Sequence, residues 1–82
     1  MTKKEFIKQY KSAMKQGYKY IGVEVIVEGN IDPEYIINKA SNFNSKLEYY
    51  KKAYNDDMQL IANNSISIIN IITGNRLSLP IL

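Results

Sequence analysis

The sequence predicts an α+β domain with the element order αββαβ, in which two helices pack on one face of a three-stranded antiparallel sheet (order 2-1-3). Two segments, residues 3–16 and 43–55, carry apolar side chains at helical spacing, whereas residues 18–28 change to a period of two. Gly, Asn and Pro residues, which favour turns, lie between these segments. The length of 82 residues allows one domain. We expect it to comprise residues 1–74, followed by an apolar tail at 75–82.

The first helix is predicted to span residues 3–16. Thr2 and Glu5 have the spacing of a capping box, in which each side chain accepts a hydrogen bond from the other residue's backbone N–H. At the other end, Gly17 supplies the left-handed conformation in which many helices stop.

The next segment predicts a β-hairpin. Residues 18–28 form a strand with Ile21, Val23 and Val25 on one face and Tyr20, Glu24 and Ile26 on the other. Turn-forming residues follow at 29–33, and residues 35–37 return as a short second strand.

The second helix is predicted to begin near Asn44 or Ser45 and to end by Asn55. Ser45 and Glu48 have the spacing of a second capping box. Its core stripe lies at i, i+4, i+7 and i+11 and comprises Phe43, Leu47, Tyr50 and Tyr54.

The third strand is predicted at residues 66–73. Its period of two places Ile66, Ile68 and Ile72 on one face and Ile69 and Ile71 on the other. The second helix connects the second strand to the third, so these two strands run in the same direction. If the first strand lies between them, the sheet has the order 2-1-3 and every neighbouring pair is antiparallel.

Composition argues against ordinary catalysis. The chain contains neither Cys nor His. Disulfides, thiolate metal sites and the commonest general base are therefore excluded. We expect a protein that is not an enzyme and needs no cofactor or metal. The start of the chain does not resemble a signal peptide, and its apolar runs are too short to span a bilayer. We therefore expect a soluble, cytoplasmic protein with no membrane partner.

Positive charge is concentrated in the first helix. Residues 1–19 hold six lysines against Glu5 alone, a net charge of +5. At i, i+4, i+7 and i+11, four of them form a stripe, namely Lys4, Lys8, Lys11 and Lys15. Such a stripe is usually a solvated helix face, and the alternative hypothesis is a nucleic-acid-binding regulator that contacts phosphates.

A protein-binding surface is the other candidate. Tyrosines bring large contact area at little entropic cost, and a sheet covered by helices on one side leaves its second face open. We expect the protein-binding residues to be Tyr20, Ile26, Tyr35 and Tyr49. The tail adds Leu77, Leu79 and Ile81, which we expect to dock on the sheet of the same chain or on another chain. Both features favour a homodimer as a further possibility.

The chain resembles a group of small proteins encoded by Firmicutes phages and mobile elements. The resemblance covers about residues 3–72 and rests on KKEFI, GYKYIGVEV, an II-N step, KLEYYKKAY and SISIINI. It carries no catalytic signature and implies no site residues. It implies instead a protein that binds a host protein stoichiometrically, for example as an inhibitor of a bacterial defence system such as a CRISPR effector.

Overall fold

A computed structural model of the chain describes residues 1–76. The predicted contact residues Leu77, Leu79 and Ile81 lie outside the described residues. The helices are α1 (Lys3–Lys15) and α2 (Phe43–Ala53), and a 3-10 turn at Ala40–Asn42 precedes α2. The strands are β1 (Tyr20–Val27), β2 (Glu34–Lys39), β3 (Gln59–Leu60) and β4 (Asn63–Gly74). This confirms the α+β class with two helices and an antiparallel sheet.

Within residues 1–76 the sheet has four strands in the order β2-β1-β4-β3, so the predicted three-stranded sheet was wrong. Every neighbouring pair is antiparallel, and β4 takes the place beside β1 that was predicted for the third strand. The additional strand, β3, has two residues and therefore no detectable alternation in the sequence.

The turn before β3 is built around Asn55, whose backbone N–H donates to the Gln59 carbonyl (2.9 Å) and whose carbonyl accepts from the Met58 N–H (3.0 Å). Asn55 Oδ1 accepts hydrogen bonds from the backbone N–H groups of Asp57 (3.0 Å) and Gln59 (2.9 Å). Within this turn Met58 adopts a φ of 57°, the left-handed region that non-glycine residues rarely enter. The turn directs residues 59–60 back along β4, which is why a strand forms there.

The hydrophobic core lies between the two helices and one face of the sheet. From β1 it receives Ile21, Val23 and Val25, all buried as predicted. The helices contribute a cluster of aromatic rings with centroids 5.3–6.1 Å apart, comprising Phe6, Tyr10, Phe43, Tyr50 and Tyr54. Tyr10, Tyr50 and Tyr54 are therefore core residues, as the periodicity of the helices predicted.

The start of α1 is confirmed. Helix α2 begins at Phe43, one residue before the predicted Asn44, and the predicted capping box of Ser45 and Glu48 was wrong. The capping box of Thr2 and Glu5 is present. However, Ser45 lies inside α2, and its hydroxyl donates to the carbonyl of Asn42 (3.1 Å) instead of capping a helix end. The reason is the 3-10 turn at Ala40–Asn42, which leads directly into the helix at Phe43.

A β-bulge interrupts the pairing of β1 with β4. Val25 pairs with Ile68 and Glu24 pairs with Asn70, which leaves Ile69 as one extra residue in β4.

The bulge reverses the alternation of β4 beyond this point. Ile71 packs against the core, on the same side of the sheet as Ile66 and Ile68. Ile72 pairs with Gly22 and faces the other way. The prediction that grouped Ile72 with Ile66 and Ile68 was therefore wrong, because a one-residue insertion shifts every later side chain to the opposite face.

Among residues 1–76, neither helix has the length and apolar character needed to cross a membrane.

Candidate functional site

The candidate site is the sheet face opposite the helices, called here the open sheet face. Because the odd-numbered residues of β1 enter the core, its even-numbered residues face away from it. These are Tyr20, Gly22, Glu24 and Ile26. Ile26 is 42% exposed, an unusual fraction for a large aliphatic side chain in a central strand.

The neighbouring strand β2 extends this face. The register places Lys39 opposite Tyr20, and Ile37 opposite Gly22. Tyr35 lies opposite Glu24. Two of the predicted tyrosines thus occupy the same face and are half-buried within it.

On the other side, β4 contributes the apolar Ile72 and the polar Asn70 and Ser67 to the face, and Ser67 lies opposite Ile26. Ile72 lies opposite Gly22, so an isoleucine flanks this glycine from each neighbouring strand. Asn70 lies opposite Glu24, and its side-chain amide donates to the Glu24 carboxylate at 3.4 Å. The centre of the face is therefore apolar, and a single hydrogen-bonded carboxylate lies beside it.

The open sheet face combines apolar and tyrosine side chains at its centre with polar groups at its margin. Apolar and tyrosine side chains provide area that is buried on contact. The polar groups at its margin provide orientation. Within residues 1–76, no group of three or more Asp or Glu side chains is placed to hold a metal ion.

Tyr49, the fourth predicted contact, is not part of the open sheet face. It lies on α2 in the helix layer and is 50% exposed. Its ring centroid is 5.5 Å from that of Tyr50, and Lys46 Nζ lies 5.6 Å above it. The structure therefore brings together Tyr20, Ile26 and Tyr35 and leaves Tyr49 on the other side of the molecule.

The lysine stripe lies on the outer side of α1. Lys4, Lys8, Lys11 and Lys15 are all exposed. At about 100° per residue, they point away from the side of α1 that buries Phe6 and Tyr10. Among the described residues, no carboxylate lies within 4.0 Å of their ammonium groups. The ion pair found in residues 1–76 joins two other residues, Lys51 and Glu48.

The acidic residue nearest the start of α1 serves the helix itself. The carboxylate of Glu5 accepts a hydrogen bond from the Thr2 backbone N–H (2.8 Å). Hydrogen bonding to Thr2 lowers the pKa of this carboxyl group below its ordinary value. Glu5 is therefore charged at neutral pH and fixed at the cap.

Two apolar residues of the open sheet face were missed from the sequence. Ile37 lies in a strand too short to show which side is buried, and Ile72 follows a bulge that no local signal announces. The period of two in β4 assigns Ile72 to the correct face only if the alternation is restarted after Ile69. The sequence gives no sign that it should be restarted there.

No family model, curated protein or solved structure matches this chain.

Proposed function

We propose that this chain is a small binding module that acts stoichiometrically on another protein through the open sheet face. The observation that supports it is the grouping of Tyr20, Tyr35 and Ile26 on a sheet face that neither helix covers. Tyrosines in such positions dominate binding energy when a partner buries them. The proposal is for binding rather than catalysis, because the sequence offers no His or Cys.

The finer form of the proposal concerns the partner. On the resemblance to phage and mobile-element proteins, the partner is a host protein, and a bacterial defence nuclease such as a CRISPR effector is the most concrete candidate. An inhibitor of this kind titrates its target. Nuclease activity should therefore fall linearly with added chain and stop at an equimolar ratio.

The test compares two sides of the molecule. A tagged chain is used to capture proteins from the native host, and the captured protein is then purified for affinity measurement. We expect the double variant Tyr20→Ala/Tyr35→Ala to weaken this affinity at least about tenfold, because buried tyrosines are typical binding hot spots.

Tyr49→Ala is the matched control, since it removes an exposed tyrosine from the helix layer. The proposal fails if Tyr49→Ala abolishes binding while the double variant retains it. If the captured partner is a second copy of the chain, the open sheet face is a homodimer interface, and light scattering will show a dimer that the double variant dissociates.

The second candidate is a nucleic-acid-binding regulator. One observation favours it: the four stripe lysines are exposed, lie on one side of α1 and have no carboxylate partner among residues 1–76. One observation weighs against it, since Tyr20 lies on the opposite side of the sheet from the lysines and is not placed to stack on a base beside them. Tyr18 packs partly against the core and lines the same surface cavity as Lys8.

A further inference from the structure

The sheet ends on one side at β2, whose outer edge has no paired strand within residues 1–76. The backbone N–H of Ala40 donates to the carbonyl of Lys19 at 3.0 Å, and this pair continues the register of β2 with β1. Bonded and non-bonded pairs alternate along an antiparallel ladder, so the even-numbered residues of β2 direct their backbone groups towards β1. Tyr35, Ile37 and Lys39 therefore direct their N–H and C=O groups outwards.

This edge lacks the features that usually prevent an edge strand from pairing with another chain. Such features include very short strands, bulges and charged side chains. β2 has six residues, and its register with β1 contains no shift. Its middle residues, 35–37, are Tyr, Ile and Ile. Ile36 lies on the helix side of the sheet and is 37% exposed, so the helix layer does not cover the edge.

We propose that β2 pairs with β2 of a second copy of this chain, in antiparallel orientation about a two-fold axis at Ile37. A two-fold axis is the commonest symmetry of protein dimers. In this register Ile37 lies opposite the second copy's Ile37, and Tyr35 lies opposite the second copy's Lys39. All three outward-facing residues of β2 then exchange backbone hydrogen bonds across the axis.

The neighbouring registers pair the edge less completely. An axis midway between two residues sets outward-facing groups opposite groups that already bond to β1. Moving the axis one residue towards the start of β2 sets Lys39 opposite Pro33, which has no N–H. Moving it one residue towards the end sets Tyr35 opposite Ser41, which lies in the 3-10 turn. The axis at Ile37 is therefore the one that uses the whole edge.

Charge complementarity supports a second copy as the occupant of this edge. Within one chain, Glu24 lies beside Tyr35 on the open sheet face, whereas Lys39 lies beside Tyr20. In the proposed dimer the second copy's Lys39 lies on the other side of Tyr35, about 10 Å from Glu24 at two strand spacings. A lysine and a carboxylate thus flank the Tyr35 ring, and the lysine can also contact that ring. The two-fold axis produces this arrangement twice.

The pairing joins the two four-stranded sheets into one continuous sheet of eight strands. Because the axis is perpendicular to the sheet, both open sheet faces lie on the same side of the dimer. The dimer does not depend on the proposed function, since it uses the backbone edge of β2 and leaves Tyr20 and Ile26 of both copies uncovered.

The test measures self-association of the full chain by sedimentation equilibrium over a range of protein concentrations. We expect a monomer–dimer equilibrium whose dissociation constant rises at least about tenfold more for Ile37→Pro than for Ile37→Ala. Both variants lose the isoleucine side chain, but only proline lacks the outward N–H, which is not part of the ladder with β1. Ile26→Lys is the control for the open sheet face and should leave the equilibrium unchanged.

Single cysteines test the register even if the proline variant does not fold, because the natural chain has no cysteine. Ile37→Cys places a thiol on the axis, where the paired Cα atoms lie about 5.5 Å apart. Mild oxidation should therefore link the two copies by a disulfide. Lys39→Cys is the matched control, since its Cα atoms in the two copies lie about 13 Å apart, four residues along the strand, and should not be linked.

Three outcomes overturn the proposal. A chain that remains monomeric at every concentration has no such dimer. A dimer that Ile26→Lys dissociates and Ile37→Pro does not is formed through the open sheet face. Disulfide formation by Lys39→Cys at the same rate as by Ile37→Cys shows that the two edges do not pair about Ile37.

Discussion

At the scale of single residues, two neighbouring core tyrosines have different polar environments. The hydroxyl of Tyr50 exchanges hydrogen bonds with the buried Asn38 side chain at 3.3 Å, and that amide also donates to the Ile21 carbonyl. The Tyr10 hydroxyl is buried and finds no partner among residues 1–76. Burial raises the pKa of Tyr50 to about 12 and that of Tyr10 above its ordinary value. Both rings are therefore neutral at physiological pH.

This difference predicts opposite effects of the same substitution. Tyr50→Phe should lower the free energy of unfolding by about 1–3 kcal/mol, because it leaves the buried oxygen of Asn38 without a donor. Tyr10→Phe should be neutral or stabilising by up to about 1 kcal/mol, because it removes a buried hydroxyl that has no partner. Urea denaturation of the two variants measures both values. Equal destabilisation by the two substitutions would contradict this account of the core.

At the scale of elements, the two helices begin by different means. In α1 the Thr2 hydroxyl oxygen accepts a hydrogen bond from the Glu5 backbone N–H at 3.2 Å. The Glu5 carboxylate in turn accepts one from the Thr2 backbone N–H. In α2 no side chain caps the start, since the preceding 3-10 turn continues into the helix. Local sequence therefore controls the start of α1, whereas the path of the chain from β2 controls the start of α2.

A matched pair of substitutions tests this distinction. Thr2→Ala should lower the free energy of unfolding by about 1 kcal/mol, the usual effect of losing a capping side chain. Ser45→Ala removes the equivalent residue of the capping box that the sequence suggests in α2. We expect it to change stability by less than about 0.5 kcal/mol, because its hydroxyl is exposed and caps nothing. If thermal denaturation shows a larger loss of stability for Ser45→Ala than for Thr2→Ala, then Ser45 caps α2 and this account of the two helix starts is wrong.

At the scale of the whole molecule, the sheet separates the two candidate binding surfaces. Tyr20 and Tyr35 lie on its open face, and the lysine stripe lies on the outer side of the helix layer. Substitutions on one surface therefore leave the side chains of the other in place. Substitutions can thus distinguish protein binding from nucleic-acid binding without ambiguity.

Salt dependence tests the nucleic-acid hypothesis at this scale. If α1 binds phosphates, affinity for a short duplex should fall steeply with salt, with a slope of about −0.9 per phosphate neutralised. Lys8→Glu/Lys11→Glu should then abolish binding measured by fluorescence anisotropy. Lys39→Glu/Lys52→Glu makes the same change in charge elsewhere on the surface and should have a much smaller effect. If both double variants lose the same affinity for the duplex, the duplex is attracted by the net positive charge of the protein and not by a site on α1.

The sequence by itself determined the α+β class, the helix α1 with its cap, the buried face of β1 and the core tyrosines. These features depend on local spacing, which requires only that one face of each element be buried. Tertiary structure alone decided the short strand β3, the bulge at Ile69 and the start of α2, because each depends on how distant segments pair. For the same reason, only the structure placed Ile72 beside Tyr20 and Tyr35 on the open sheet face and Tyr49 on the opposite side. The register between strands, which is a long-range property, sets the composition of that surface.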